Sequence, residues 1–251
     1  MTPEAVDAYL SRIGAARTAP VADLQELHLR AVPFENLGIH LGERIVLDED
    51  ALVAKIVERR RGGFCYELNG AFAALLRALG HEVEFLAARV HPGDALTAPF
   101  EHVALRVDGA LVDVGFGEFA FRPLRLDVRT DQTDPAGTFR VVDADGGDVD
   151  VLMDGEPRYR LEQRPRSLSD FGPMCWYQQT SPDSRFTRGP LASLPTATGR
   201  VTVSGNRLIT TEGGRKSERE LTGAELLDAY RGLFGIGLDA LPTLSARAIA
   251  L

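Results

Sequence analysis

The hydrophobic pattern of this chain changes its period at about His81, and that change restricts the fold more than any other feature. Before it, apolar residues recur at helical spacing, as in the run that contains Val6, Leu10 and Ile13. After it, apolar and polar residues alternate, and Asp108-Gly109 supplies the turn of a tight hairpin. Helices followed by strands predict an α+β fold, in which a helical bundle precedes a barrel or curled antiparallel sheet.

Capping residues and prolines set the limits of the predicted elements. We expect the segment Leu191–Pro195 to be a connection and Ser167–Gln178 to be helical or irregular. Helices are predicted from Pro3, over Val21–Ala31, after Asp48, from Cys65 to about Leu79, and over Thr222–Phe234; strands are predicted after His81, at His102–Val107, Ala110–Val114, Thr138–Val142, Val149–Leu152 and Tyr159–Gln163, with a last hairpin at Arg200–Thr211.

Composition excludes several classes of function. The net charge of −8 and pI near 5.2 argue against a nucleic-acid-binding protein, because neutralising phosphates needs a basic face. Two cysteines in 251 residues cannot build a disulfide framework, and the N-terminal residues do not resemble a secretion signal. Since no long apolar run is present, no membrane span is predicted. We therefore expect a cytoplasmic protein that binds neither nucleic acid nor membrane.

One short motif concentrates residues suited to chemistry: Arg61 to Gly70 reads R-G-G-F-C-Y-E-L-N-G. The two glycines predict a sharp turn, after which Cys65 begins a helix. Unpaired N–H groups and the positive end of the helix dipole favour an anion there, so we expect a lowered pKa for the Cys65 thiol. The alternative is a buried structural cysteine, the usual role of a lone Cys. We expect the other cysteine, Cys175, to be structural.

A histidine and an aspartate lie on the two strands joined by the Asp108-Gly109 turn. Pairing across this turn makes His102 and Asp113 diagonal neighbours on adjacent strands, within side-chain reach. A carboxylate beside an imidazole fixes its tautomer and leaves the other ring nitrogen free to take a proton from Cys65. The sequence thus indicates a Cys-His-Asp triad, although either residue could equally be an ordinary strand-end or turn residue.

Several motifs, in order along most of the first 190 residues, make the chain resemble the arylamine N-acetyltransferase family. The resemblance is carried by P-F-E-N-L at Pro33–Leu37, R-G-G-F-C-Y-E-L-N-G at Arg61–Gly70, H-V-A-L-R-V at His102–Val107, V-D-V-G-F-G at Val112–Gly117, and Y-Q-Q-T-S-P-D-S-R-F at Tyr177–Phe186.

That resemblance implies three regions: a helical bundle at 1–82 with the nucleophile, an antiparallel β-barrel at 83–187 with the His and Asp, and an α/β lid at 188–251. It implies that Cys65 is the nucleophile, His102 the base and acid, and Asp113 the orienting carboxylate. Acetyl-CoA would acylate the thiolate and release coenzyme A. A small-molecule arylamine, hydrazine or arylhydroxylamine would then accept the acetyl group, in a ping-pong reaction of xenobiotic metabolism.

The resemblance also suggests supporting residues. Arg61 and Asn69 match positions that brace the site; the alternatives are a helix-end cation and an exposed polar residue. Phe34 and Phe116 match aromatic positions at the amine pocket, and a role in the core is the alternative for either ring. Glu35 and Asn36, in P-F-E-N-L, are expected to tie the bundle to the barrel. The N–H of Cys65 is the expected oxyanion donor. Residues that contact coenzyme A stay unassigned, and no metal site is predicted.

Other functions use the same residue types. An amide synthase of ansamycin biosynthesis would take its acyl group from a carrier protein and close a macrolactam. Papain-like proteases and transglutaminases also combine Cys, His and Asp, so hydrolysis or transamidation is a further alternative. A non-catalytic relative that acts as a binding module would typically lack a triad member, and all three are present here.

Overall fold

The structure, a computed structural model, describes residues 1–93 and 95–243. The terminal sequence A-R-A-I-A-L lies outside the described residues. The helices are α1 Pro3–Ile13, α2 Val21–Ala31, α3 Leu37–His40, α4 Glu49–Val57, α5 Cys65–Ala78, α6 Gly172–Thr180 and α7 Gly223–Phe234. The strands are β1 Phe34–Glu35, β2 Val83–Val90, β3 His102–Val107, β4 Ala110–Val112, β5 Leu124–Arg125, β6 Gln132–Asp134, β7 Gly137–Asp143, β8 Val149–Met153, β9 Glu156–Arg166, β10 Leu191–Pro195, β11 Gly199–Ser204, β12 Arg207–Glu212 and β13 Arg215–Glu220.

The predicted helices before residue 81 are confirmed, and their ends follow from capping. Thr2 accepts a hydrogen bond from the N–H of Ala5 at the start of α1, and Asp48 accepts one from Ala51 at the start of α4. Helix α5 is buried along most of its length because α1, α4 and strands β2 and β3 surround it. Since Gly70 has no Cβ, Leu52 of α4 packs directly against the α5 backbone.

Eight antiparallel strands form a curled, nearly closed sheet in the order β5-β4-β3-β2-β9-β8-β7-β6. Its two edge strands approach each other: the Gln132 side chain accepts a hydrogen bond from the Arg125 N–H at 2.8 Å and donates one to the Arg125 carbonyl at 3.0 Å. Inside the curl lies an apolar core that includes Phe119, Phe139 and Tyr159. The predicted α+β fold with a barrel-like sheet is confirmed.

A second antiparallel sheet, in the order β1-β10-β11-β12-β13, corrects two sequence interpretations. Leu191–Pro195, expected to be a connection, is strand β10, and it pairs with Phe34–Glu35 on one side and β11 on the other. One partner, Phe34–Glu35, lies far away in sequence; the other, β11, follows after three residues, T-A-T, which lack the Gly or Asn of a tight hairpin turn. The edge strand Arg215–Glu220 was not predicted because all six residues are exposed and charged or polar, without alternation.

Glu35 and Asn36 tie the helical bundle to this second sheet. The prediction that they tie it to the barrel is wrong. The Asn36 side chain donates to the carbonyls of Phe186 and Gly189, both at 2.9 Å, and accepts from the Leu191 N–H at 2.6 Å. These partners are backbone groups that a sequence pattern cannot place. The division at residues 82 and 187 stays a prediction.

No helix among the described residues has the length and apolar character that crossing a bilayer requires.

Candidate active site

Cys65 is the first residue of α5, and close backbone packing puts it there. A Cβ on Gly62 would lie 1.8 Å from the carbonyl oxygen of Pro33, and one on Gly63 would lie 2.6 Å from the Cβ of Glu67. The two glycines are therefore required by close approach and not by a left-handed backbone, which Arg60 adopts instead with φ of 50°. The side chain of Cys65 is buried, with 4% of the residue exposed.

His102 and Asp113 meet as the hairpin register predicts, since Leu105 pairs with Val112 and Val107 with Ala110. The distance between His102 Nε2 and Asp113 Oδ2 is 2.7 Å, and both residues are buried. A carboxylate only accepts hydrogen bonds, so Nε2 carries a proton and Nδ1 of the neutral ring is an acceptor. Strand β4 ends at Val112, earlier than the predicted Val114, because the chain bends from Val114 onward.

Four donors surround the Asp113 carboxylate. Oδ1 accepts from Asn69 Nδ2 and from the Gly115 N–H, both at 2.9 Å. Oδ2 accepts from His102 and, at 3.3 Å, from the Tyr159 hydroxyl. Because each oxygen has two donors, the carboxylate can be buried as an anion and its orientation is fixed.

Asn69 links the helix to the hairpin. Besides Asp113, its side chain donates to the Val103 carbonyl at 2.7 Å and accepts from the Val114 N–H at 3.0 Å. It lies one turn after Cys65 on α5, so these bonds set the position of Cys65 relative to β3, which carries His102. A Cβ on Gly115 would lie 2.7 Å from both the Cys65 Cα and the Asn69 Nδ2, so the loop after Asp113 touches the start of α5 directly.

Burial raises the pKa of the Cys65 thiol well above its ordinary value, and backbone hydrogen bonds to Val103 and Tyr66 only partly oppose this. The lowered pKa expected from the helix start is therefore wrong for the thiol taken alone. The reason is that burial removes the hydration of a lone thiolate and the negative charge of Asp113 disfavours it further, and the two backbone hydrogen bonds do not make up the difference. Ionisation of this sulfur requires a nearby proton acceptor whose cation is itself stabilised.

Cys65 and His102 line one cavity of about 220 Å³. Part of its wall is aromatic: the Phe116 ring meets the His102 ring edge to face at 5.1 Å, and Phe34 lies beside Phe186 at 6.2 Å. The structure thus brings both phenylalanines singled out by the sequence to the same cavity as the thiol. The remaining lining residues are Val90, His91, Pro92, Glu101, Gly115, Arg158 and Arg185.

Arg61 lies in a buried ion-pair cluster and is not among the residues that line the cavity. Its guanidinium pairs with Glu35 at 2.9 Å, and the neighbouring Lys55 pairs with Glu67 at 2.5 Å. Glu67 in turn accepts from the Phe64 N–H at 3.2 Å at the start of α5. The cluster therefore fixes the turn that presents Cys65, so any effect of Arg61 on the thiol is indirect.

The sequence did not single out Tyr66 and Tyr159, although Tyr66 lies inside the Cys65 motif. The Tyr66 hydroxyl donates to the carbonyls of Phe100 at 2.8 Å and Glu101 at 3.1 Å. Phe100 has φ of 64°, an unfavourable value for a residue with a side chain, so Tyr66 restrains a strained turn just before His102. Tyr159 lies against the His102 ring, with centroids 5.3 Å apart, and no pattern in β9 marks it.

Within residues 1–93 and 95–243 there is no group of three or more His, Cys, Asp and Glu side chains placed to hold a metal ion.

Comparison with known proteins extends the resemblance to nearly the whole chain. A family model described as N-acetyltransferase matches residues 19–242. The arylamine N-acetyltransferase of Mycolicibacterium smegmatis is 36% identical over 93% of this chain and 92% of its own. The chain belongs to the arylamine N-acetyltransferase family. The predicted enzyme class, acyltransferase, is likewise confirmed for this family member.

Solved structures of the family share the fold. The M. smegmatis arylamine N-acetyltransferase superimposes with a TM-score of 0.84 at 34% identity, covering 97% of this chain and 95% of its own. The Mycobacterium marinum arylamine N-acetyltransferase in complex with CoA gives a TM-score of 0.83 at 33% identity, covering 92% of each chain. This chain therefore has the overall fold of arylamine N-acetyltransferases.

Proposed function

We propose that this protein transfers an acetyl group from acetyl-CoA to the nitrogen of an arylamine, hydrazine or arylhydroxylamine through a thioester on Cys65. The observation that carries the proposal is the shared cavity: Cys65 and His102 line it together, and Asp113 holds His102 Nε2 at 2.7 Å. A nucleophile, a base and an orienting carboxylate are the parts that covalent acyl transfer needs.

The first half-reaction forms the thioester. His102 Nδ1 takes the thiol proton of Cys65, and Asp113 stabilises the resulting imidazolium. Since the thiol alone is hard to ionise, this transfer produces a thiolate and imidazolium pair in place of an isolated anion. The sulfur attacks the acetyl carbonyl, and the tetrahedral oxyanion accepts a hydrogen bond from the Cys65 N–H, which has no partner inside the helix. Collapse breaks the bond to the CoA sulfur, which takes the proton from His102 as it leaves.

The second half-reaction releases the acetyl group to the acceptor. The amine nitrogen attacks the thioester carbonyl while His102 Nδ1 takes one of its protons. The intermediate then expels the Cys65 sulfur, and the thiol and the neutral imidazole are restored. Phe34 and Phe116 offer flat walls on which an aromatic acceptor can stack.

The names of relatives support the two substrates. The M. marinum relative was solved with CoA, and the M. smegmatis relative is named for arylamines. We extend both to this chain as substrates, together with a cytoplasmic location.

Intact-mass spectrometry of the protein with acetyl-CoA and no amine tests the proposal. The protein should gain the mass of one acetyl group, which should map to Cys65, and addition of an arylamine should remove it. Cys175→Ala is the matched control, because Cys175 is equally buried but does not line the cavity. It should still be acetylated, whereas Cys65→Ala should not.

Two results would contradict the proposal. Equal loss of acetylation in both cysteine variants would mean that the nucleophile is misassigned. Absence of any acetylated species, with no release of CoA, would favour an amide synthase that accepts its acyl group from a carrier protein.

A further inference from the structure

A β-bulge aims an arginine at the cavity that contains the reactive thiol. In the pairing of β8 with β9, Val151 faces Tyr159 and Leu152 faces Pro157, so Arg158 is an extra residue with no partner opposite it. Tyr159 then points inward, against His102 and Asp113. Bulges of this kind redirect side chains and are common beside active sites. Here the redirected side chain lines the cavity.

The guanidinium of Arg158 lacks an acidic partner among the described residues. Its one side-chain hydrogen bond goes to the Met153 sulfur at 3.1 Å, and its Nε is buried without any partner in the part of the chain that the structure describes. Arg160, two residues along the same strand, differs: it makes two hydrogen bonds of 2.9 Å with the Asp150 carboxylate. A weak sulfur contact leaves the Arg158 donors available for a stronger acceptor.

Other charged groups at the cavity lie near groups of opposite charge. Burial raises the pKa of Glu101, and the positive charge of Arg185 only partly opposes this. His91 lies 3.6 Å from Asp150, which already pairs with Arg160. Neither Arg158 nor Arg185 forms an ion pair with a described carboxylate, but Arg185 lies over the Phe186 ring, 5.2 Å from its centroid, and near Glu101. Arg158 has only the Met153 sulfur, so it is the less compensated of the two arginines in the described cavity wall.

On the basis of the proposed function, we infer that Arg158 determines specificity by favouring aromatic amine acceptors that carry a carboxylate. Their ring would stack between the phenylalanines while the guanidinium binds the carboxylate. The phosphates of CoA are the other anions in the reaction. However, the whole pantetheine arm separates them from the sulfur that must reach Cys65, whereas a carboxylate on the ring lies close to the reacting nitrogen.

The test compares 4-aminobenzoate with its methyl ester, since the pair differs in charge while the amine and ring are the same. In the unaltered protein, kcat/KM should be higher for the acid. Arg158→Gln should lower kcat/KM for the acid roughly 10- to 100-fold, the range of a charge-assisted hydrogen bond, and change that for the ester less than about threefold. Arg158→Lys should fall in between. Arg160→Gln is the control from the same strand and should leave the ratio of acid to ester unchanged.

Two measurements separate this inference from the proposed function. Acetylation of Cys65 by acetyl-CoA alone should proceed at the same rate in Arg158→Gln, because no acceptor takes part. Calorimetric binding of the acid and the ester to the unacetylated protein should show the same preference, so the inference can be judged even if no acetyl transfer occurs. The inference would be overturned if Arg158→Gln lowered kcat/KM equally for the acid and the ester. It would also be overturned if the variant slowed acetylation of Cys65 while kcat/KM still favoured the acid as before.

Discussion

Replacing Asp113 by Asn changes which proton His102 carries while leaving the shape of the site almost unchanged. The amide that replaces the carboxylate has one acceptor end and one donor end. If its oxygen takes the place of Oδ1, it keeps the bonds from Asn69 and Gly115, both 2.9 Å long in the native site. Its NH₂ then faces His102 Nε2 and the Tyr159 hydroxyl, both of which can act as acceptors.

The opposite orientation of the amide is disfavoured. It would place the NH₂ against two donors and break two buried hydrogen bonds, at about 1 kcal/mol or more each. The favoured orientation is therefore more stable than the other by roughly 2–3 kcal/mol, so its population is about 30 to 150 times larger. In it His102 Nε2 must accept, so its proton moves to Nδ1, the nitrogen that should take the proton of Cys65. The imidazole can no longer act as a base.

We expect Asp113→Asn to slow acetylation of Cys65 roughly 10⁴-fold, as loss of the correct tautomer does in the Ser-His-Asp triad. The free energy of unfolding should fall by only about 1–2 kcal/mol, because most of the hydrogen bonds remain. Single-turnover CoA release measured by quenched flow, together with urea unfolding, would check both numbers. Acetylation within tenfold of the unaltered protein, with the fold intact, would refute the role of the carboxylate.

Two further predictions concern the thiol and its packing. His102→Gln removes the proton acceptor, so the pKa of Cys65 should be the raised pKa of a buried thiol. Alkylation of Cys65 by iodoacetamide at about pH 7 should then be roughly 100-fold slower or more, and its rate should rise only above about pH 9. Because the thiol loses its proton more easily in the unfolded chain than in the folded protein, this variant should also become less stable as the pH rises past about 9. Labelling or stability that does not depend on pH would contradict this prediction. Gly115→Ala would place a Cβ 2.7 Å from the Cys65 Cα and should cost roughly 1–3 kcal/mol of stability and most of the acetylation rate. In the control Gly172→Ala, no atom of the described residues lies within 4 Å of the added Cβ, so the melting temperature and the rate should stay unchanged.

Local patterns were enough to predict much of the architecture. The spacing of apolar residues and the capping residues predicted four of the helices before residue 81, and alternation after it predicted the curled sheet. The Asp108-Gly109 turn even fixed the register that brings His102 to Asp113, because a two-residue turn leaves little choice of pairing. Strand β10 was not predicted, because one partner is distant in sequence and the connection to the other lacks the Gly or Asn of a tight turn; β13 was not predicted, because an exposed edge strand needs no apolar face.

The sequence by itself thus determined the order of the elements, the turn that presents Cys65 and the pairing of its two predicted partners, since each depends on neighbours along the chain. Only the tertiary structure decided the environment of those groups. Burial, which raises the pKa of the thiol instead of lowering it, comes from packing on every side. So do the aromatic walls of the cavity and the bulge that turns Arg158 toward it. A sequence pattern shows which residues follow one another along the chain. Solvation and charge compensation depend instead on which residues surround a group in space.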